Sequence, residues 1–172
     1  MSIVEDRNYQ PLATPEDPDD YRSDSELAIV IDPSGSGDSF VERLTVFYEN
    51  IAPGDRIPLH EHTVEEVLFV DEGKVEATVG DERRMVGPGA TVFIPARRVH
   101  GFRNLGDEVA RIHAVFPSRE ISIRYLERNP APGTEEDPPG PPLAFDVREL
   151  LEGDPQKAVR PLRREDFSPA AL

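Results

Sequence analysis

Short runs of strand-favouring residues alternate with turn-forming residues along the middle of this chain. The candidate strands lie at 27–31, 40–51, 65–71, 74–79, 82–86, 91–94, 98–103, 108–116 and 121–126. Most breaks between them contain glycine with Asp, Asn or Pro, which are residues that favour tight turns. Short strands at this spacing, without helical segments between them, predict an antiparallel sandwich or barrel. We therefore expect an all-β fold.

Three of the four histidines lie in this strand-rich region with a spacing typical of metal ligands. His60, His62 and Glu66 are separated by even numbers of residues, and His100 follows downstream. Since strand side chains alternate with period two, the first three can project from one face. Imidazole and carboxylate groups together suit Mn, Fe, Ni, Cu or Zn. The pattern predicts one divalent transition-metal ion held by these four residues.

The residues around these ligands resemble the two sequence motifs of the cupin superfamily. The first motif, G-x5-H-x-H-x3-4-E-x6-G, matches at every defined position: Gly54, His60, His62, Glu66 and Gly73. The second motif, G-x5-P-x-G-x2-H-x3-N, matches at Gly89, Pro95, His100 and Asn104. It departs once, because Arg97 stands where the family usually has the glycine of a tight turn. With its flanking strands, the resemblance spans residues 40–126 and implies a jelly-roll barrel (double-stranded β-helix) around a cavity.

The resemblance also limits the expected function. The superfamily includes dioxygenases, decarboxylases and isomerases, and the fold does not select among them. We expect a metal-dependent enzyme that acts on a small oxygen-rich or aromatic molecule. A dioxygenase-like oxidoreductase is favoured, because an apolar pocket beside an open metal position suits that reaction. The alternatives are a sugar or sugar-phosphate isomerase and a sensor module that holds metal without turnover. No catalytic residue is assigned.

Several residues near the motifs have two possible interpretations, one structural and one functional. Glu65 has the opposite parity to Glu66 and is predicted to be a surface acid, with ligation through a β-bulge as the alternative. His113 is predicted to be a partly buried strand histidine with a hydrogen-bond partner, and Asn104 a turn residue. The apolar candidates for cavity walls, or equally for core filling, are Phe69, Phe93, Ile94 and Phe102. The arginines that would either anchor an anionic substrate or form surface ion pairs are Arg56, Arg98, Arg111 and Arg124.

The charge balance restricts the partners. The chain has 34 acidic and 19 basic residues and a formal charge of −15. Such a field repels phosphate backbones and anionic lipids, so nucleic acid and membrane surfaces are disfavoured. There is no cysteine, which excludes disulfides and a thiol nucleophile. No apolar run approaches the roughly 20 residues of a spanning helix. We expect a cytoplasmic homodimer with a small-molecule substrate.

Four segments are expected along the chain. Residues 1–26 form an acidic arm, either a disordered tail or a segment laid across a neighbouring subunit. Residues 27–128 form the barrel, and 129–145 form a proline-rich segment that runs extended over the surface. Residues 146–172 form an extension with one short helix, which Asp146 caps and Gly153 ends.

Overall fold

The computed structural model describes residues 7–13, 18–30, 43–151 and 153–168, which form two antiparallel β-sheets. One sheet has six strands in the order β1-β2-β3-β10-β5-β8. The other has seven strands in the order β13-β12-β11-β4-β9-β6-β7. Strands β1 to β7 are Gln10–Leu12, Arg22–Val30, Thr45–Ile51, Arg56–Glu61, Glu66–Glu72, Val75–Val79 and Glu82–Val86. Strands β8 to β13 are Thr91–Ile94, His100–Asn104, Ala110–Phe116, Glu120–Tyr125, Leu143–Asp146 and Val159–Pro161.

The hydrophobic core lies between the two sheets and follows from strand alternation. In β10, Ala110, Ile112, Ala114 and Phe116 are buried, whereas the residues between them are exposed or partly exposed. The same face continues across β3 and β5, which flank β10 on its two sides. Phe102 of β9 and Ile121 of β11 close the core from the opposite sheet. Each such large side chain contributes roughly 1.5–3 kcal/mol through burial. The all-β jelly-roll prediction is confirmed.

The structure differs from the sequence prediction at two strands. Strand β4, which carries His60, was not among the candidate strands, because Pro58 and the polar residues beside it weaken the strand pattern. Strand β2 begins at Arg22, so the expected boundary of the acidic arm at residue 26 falls inside a strand of the barrel. Residue 31 of the candidate strand 27–31 and residues 40–42 of the candidate strand 40–51 lie outside the described residues.

The C-terminal part adds strands to the edge of the seven-stranded sheet. The proline-rich stretch has no regular element until β12, which pairs with β11, and β13 then pairs with β12. Helix α1 (Val147–Leu151) begins after Asp146, whose Oδ1 accepts hydrogen bonds from the backbone N–H groups of Arg148 and Glu149 at 3.0 and 3.2 Å. The expected cap is therefore present. A second helix, α2 (Pro155–Ala158), and a 3-10 turn (Arg164–Phe167) follow.

Among the helices of the described ranges, none has both the length and the apolar character required to cross a bilayer.

Candidate metal centre

Four ionisable side chains meet in the interior between the sheets. His60 lies in β4, His62 directly after it, His100 at the start of β9 and Glu66 at the start of β5. His60 pairs with His100 across neighbouring strands, whereas Glu66 belongs to the opposite sheet. One potential ligand atom from each residue lies within 4.8 Å of the others. All four side chains are buried, and His100 is fully inaccessible.

The four side chains meet for a different reason from the one that the sequence predicts, which is that the even spacing of His60, His62 and Glu66 places them on one face of one strand. Strand β4 ends at Glu61, and a bend at Thr63 and Val64 separates His62 from β5. The two imidazoles and Glu66 therefore do not share one strand face. They meet because β4 and β5 lie in different sheets that face a common interior.

A backbone carbonyl orients each of the three imidazoles. The Nδ1 atoms of His60, His62 and His100 lie 2.7, 2.5 and 2.8 Å from the carbonyl oxygens of Pro58, Ser122 and Arg98, respectively. Since a carbonyl oxygen only accepts hydrogen bonds, each Nδ1 carries the proton and donates it. In the neutral ring this tautomer leaves the lone pair on Nε2, which is the arrangement that metal-ligating histidines commonly have.

Within the described residues, the Nε2 lone pairs of the neutral rings face one another without a donor between them. The Nε2 atoms of His60 and His62 are 3.1 Å apart. Glu66 Oε2 lies 3.0 Å from His100 Nε2 and 3.6 Å from His62 Nε2. Within the described part of the chain, neither Glu66 Oε2 nor His100 Nε2 has an aligned hydrogen-bond partner. Buried acceptors that face each other repel, and a cation at their common point removes the repulsion. The donor set therefore fits a divalent transition-metal ion.

The protonation states also suit a metal. Burial lowers the pKa of His62 to about 4, with the charge of Glu66 opposing this shift. Burial and the neighbouring imidazoles of His100 and His62 hold the pKa of His60 well below its usual range. Burial acts to raise the pKa of Glu66, but the attraction between its carboxylate and the protonated forms of His100 and His62 outweighs burial, so this pKa lies below its ordinary value. At neutral pH, His60 and His62 are therefore neutral and Glu66 is charged.

Aromatic side chains surround the four residues. The ring of Phe116 meets His62 edge-on, with centroids 5.1 Å apart, and Phe102 lies 6.3 Å from His100. Tyr125 is the residue opposite His60 in the β11–β4 pairing, and its ring centroid is 6.0 Å from that of His60. Sequence reasoning missed Tyr125, since its place depends on a strand pairing that spans about 65 residues and has no local signal.

The structure also gives the positions of the residues that had two possible interpretations. Glu65 is exposed, as predicted for a surface acid. His113 lies outside the cluster, where its Nδ1 is 2.8 Å from Asp71 Oδ2 and its ring stacks on Phe69. Asn104 is the buried last residue of β9 and not itself a turn residue. Its side chain stabilises the turn that follows, because its Nδ2 donates to the carbonyl oxygens of Ile51 and Glu108 and its Oδ1 accepts from the N–H of Gly106.

The structure also places the candidate cavity-wall residues and the candidate substrate-binding arginines. Ile94 and Phe102 are buried in the core, whereas Phe93 is 72% exposed and points away from the interior. Three of the four arginines pair with glutamates: Arg56 with Glu127, Arg111 with Glu72, and Arg124 with Glu61. Arg56 and Arg111 therefore take the ion-pair role that is common for surface arginines, whereas Arg124 pairs with the buried carboxylate of Glu61.

The comparison with known families agrees with the fold and the site. Residues 47–116 match the model of the cupin domain family. The two-sheet architecture and the four-residue cluster accompany this match, and this part of the chain is a cupin domain.

Two curated relatives from Streptomyces align with parts of the chain. The polyketide synthase CurC of Streptomyces cyaneus is 39% identical over 61 residues, which are 35% of this chain and 40% of the relative. An uncharacterized protein of Streptomyces coelicolor is 36% identical over 59 residues, which are 34% of this chain and 55% of the relative. The chain thus spans about half or less of the length of these relatives.

Solved structures share the fold at low sequence identity. The polyketide cyclase RemF of Streptomyces resistomycificus has a TM-score of 0.61 and 23% identity, covering 78% of this chain and 91% of its own. A sugar phosphate isomerase from the cupin superfamily of Silicibacter pomeroyi has a TM-score of 0.55 and 17% identity, with coverages of 82% and 77%. The oxalate decarboxylase of Bacillus subtilis, a protein with Mn(II) centres, has a TM-score of 0.51 and 20% identity, with coverages of 59% and 28%. These likenesses show the fold alone.

Proposed function

We propose that this chain is a metal-dependent enzyme that closes a ring in a small, oxygen-rich polyketone. The observation that carries the proposal is the set of three imidazole nitrogens and one carboxylate oxygen turned toward one buried point. The names of two similar proteins, a polyketide synthase and a polyketide cyclase, support this substrate class. Ring closure joins a methylene carbon to a carbonyl carbon of the same molecule and releases water, so it requires no oxidant.

The residues that would hold the ion are His60, His62, Glu66 and His100, as the sequence predicts. With three neutral imidazoles and one carboxylate, a divalent ion would give the centre a net charge of about +1. Mn, Fe, Ni, Cu and Zn all accept this ligand set, and the Mn(II) centres of oxalate decarboxylase favour testing Mn first. When bound, the ion supplies a Lewis acid that polarises a carbonyl oxygen.

The chain itself supplies orientation and exclusion of water. Each imidazole donates its Nδ1 proton to a backbone carbonyl, so a neutral ring carries no proton toward the centre and acts there as a fixed acceptor. The buried side chains of Phe102, Phe116 and Ile94 surround the interior with apolar surface. Holding a flexible polyketone in one conformation in such an interior reduces the entropy lost on reaching the transition state.

Two alternatives from the sequence have the same metal centre. A dioxygenase-like reaction stays a prediction, which the apolar surroundings of the centre support. Sugar-phosphate isomerisation requires a cationic group for the phosphate. Arg56, Arg111 and Arg124 are each already paired with a carboxylate, which gives that alternative less support. The homodimer also stays a prediction, which light scattering of the purified chain checks.

One experiment separates these reactions. Protein loaded with Mn or Zn is incubated with a panel of linear polyketones, flavonols and phosphorylated sugars while dissolved oxygen is recorded. We expect a product that has lost water from a polyketone, with no oxygen consumed. Oxygen uptake with product oxidation identifies a dioxygenase, and conversion of only the sugars identifies an isomerase. Tight binding without any turnover supports the sensor alternative.

A further inference from the structure

One guanidinium nitrogen of a buried arginine, Arg22, has no hydrogen-bond partner among the residues that the structure describes. Arg22, at the start of β2, is 4% exposed. Its Nε and Nη2 donate to the two carboxylate oxygens of Asp20 at 2.9 and 2.7 Å, and Nη2 also donates to Glu49. Within the described residues, Nη1 is inaccessible to solvent and makes no hydrogen bond. A buried donor without an acceptor is costly, and native proteins rarely leave one unmet.

The partners of Arg22 connect it to both sheets of the barrel. Glu49 is buried on β3, and Ile112 of β10 pairs with it on one side and with Val70 of β5 on the other. Val70 lies on the same face of β5 as Glu66, four residues away, which is roughly 13 Å along a strand.

A second chain of hydrogen bonds connects Asp20, the other partner of Arg22, to the strand that carries His60. The side-chain amide of Asn129 donates both to Asp20 and to the backbone carbonyl of Arg56, at 2.9 and 2.7 Å. Arg56 begins β4 and precedes His60 by four residues. Arg22 is therefore connected, through its neighbours, to β5 of one sheet, which carries Glu66, and to β4 of the other sheet, which carries His60.

Glu49, a partner of Arg22, also interacts electrostatically with a residue of the metal centre. Burial raises the pKa of Glu49, Arg22 opposes that shift, and the negative charge of Glu66 adds to it. The interaction between Glu49 and Glu66 is expected if both carboxylates face the same poorly solvated interior.

We propose that Arg22 Nη1 binds an oxygen atom of the substrate, at the end of the molecule remote from the metal, and that this oxygen belongs to an uncharged carbonyl or hydroxyl group. The proposal rests on the proposed function and names its substrate class. An N–H group requires an acceptor, which a carbonyl or hydroxyl oxygen provides. Asp20 pairs both of its carboxylate oxygens with Arg22 and so neutralises its positive charge. Phosphate or carboxylate at this position would therefore find no net positive charge to offset the loss of its hydration.

A matched pair of variants tests the contribution of Arg22 Nη1 to binding. Arg22→Lys keeps the positive charge beside Asp20 and Glu49 but removes Nη1. Arg128→Lys is the control, because the Arg128 side chain is also largely shielded, with 9% exposed against 3% for Arg22, and it pairs with Asp19, but each of its three nitrogens already has an acceptor. Both variants lose a buried guanidinium, and only the first loses the group proposed to bind substrate.

The probes are two uncharged ketones offered to the full zinc-loaded chain. Acetylacetone has only the carbonyl pair that binds the metal, whereas nonane-2,4,6,8-tetraone extends beyond that pair. Their binding is followed through the ultraviolet absorption of the ketones. We expect Arg22→Lys to weaken tetraketone binding about tenfold or more, as for a lost hydrogen bond to a charged group. Acetylacetone binding should stay unchanged, and Arg128→Lys should change neither.

The outcomes separate this inference from the function on which it rests. Equal tetraketone affinity in the wild type and Arg22→Lys overturns the role of Arg22 and leaves metal chelation intact. Failure of the wild type to bind either ketone overturns both proposals. Tighter binding of a phosphate-terminated diketone than of the tetraketone overturns the uncharged class. If Arg22→Lys does not fold, nitrogen NMR of the wild type decides, since the Arg22 Nη1 resonance should shift with the tetraketone and not with acetylacetone.

Discussion

The Nε2 atoms of His60 and His62 lie 3.1 Å apart although both are lone-pair acceptors. Their Nδ1 protons are already donated to the carbonyl oxygens of Pro58 and Ser122, so neither ring has a second proton to bridge the gap while it is neutral. The backbone of two strands therefore imposes a repulsive contact on the imidazoles. A bound cation converts this contact into a pair of ligand bonds, which is the physical basis of the predictions on metal below.

Replacing a ligand should remove the metal without unfolding the barrel. We expect wild-type protein purified without chelator to contain about one transition-metal ion per chain, and His62→Ala to bind Mn or Zn at least tenfold more weakly, since one of about four ligand bonds is lost. Elemental analysis and metal titration measure this. His113→Ala is the control, because His113 pairs with Asp71 outside the cluster. Loss of metal from the control and retention in His62→Ala would falsify the ligand assignment.

The metal-free protein should lose stability as the pH falls. In the unfolded chain His62 titrates near its usual value of about 6.5, whereas in the fold burial lowers this pKa to about 4. Between these values the unfolded chain binds more protons, so stability is fully present above pH 6.5 and is lost as the pH falls toward 4. His62 alone contributes up to about 1.4 kcal/mol per pH unit.

Urea unfolding of the chelator-treated protein at pH 7.5, 6 and 5 measures this loss. The variant His62→Phe has no titrating group at this position and should show a shallower decline of the free energy of unfolding. An equal decline in both proteins would assign the pH dependence to other groups.

The turn before His100 should contain removable backbone strain. Arg97 has a φ of +62°, which is the left-handed region that glycine adopts without cost. We expect Arg97→Gly to stabilise the protein by about 1 kcal/mol relative to Arg97→Ala. Both variants lose the hydrogen bond from Arg97 Nε to the carbonyl oxygen of Asp166, so their difference reports the strain. Thermal unfolding measures it, and equal melting temperatures would contradict the prediction.

Two motif glycines should differ in their tolerance of a methyl group. Gly54 and Gly73 both have positive φ, at +86° and +75°. A Cβ at Gly73 would lie 2.8 Å from Ala110 Cα, whereas a Cβ at Gly54 would have no neighbour within 4 Å among the described residues. Both alanine variants carry the backbone strain of about 1–2 kcal/mol. We expect Gly73→Ala to lose about 1–3 kcal/mol more, because the strands must also move apart. Chemical denaturation compares them, and similar losses would show that the contact relaxes freely.

The motif residues of the sequence illustrate how much of the site could be predicted. The spacing of His60, His62, Glu66 and His100 predicts that these side chains act together, and the structure places them within 4.8 Å of one another. Ligation itself stays a prediction. Arg97 shows the strength of the motif, since the turn keeps the left-handed conformation although a bulky residue replaces the usual glycine.

The strand that carries His60 shows where the sequence pattern was insufficient. Strand β4 contains a proline and charged residues, so its apolar alternation is weak. It is a strand because β9 and β11 pair with its two edges, and neither pairing has a local signal.

The chain's own sequence determined the features that depend on near neighbours, namely the strands with clear alternation, the glycine turns, the cap at Asp146 and the ligand spacing. Only the tertiary structure decided which distant groups meet. Ser122 orients His62 from 60 residues away, and Arg22 is buried against Glu49 at a separation of 27 residues. Such contacts form because antiparallel pairing brings remote strands into register and because burial makes every polar group require a partner. Neither condition is visible along a linear chain.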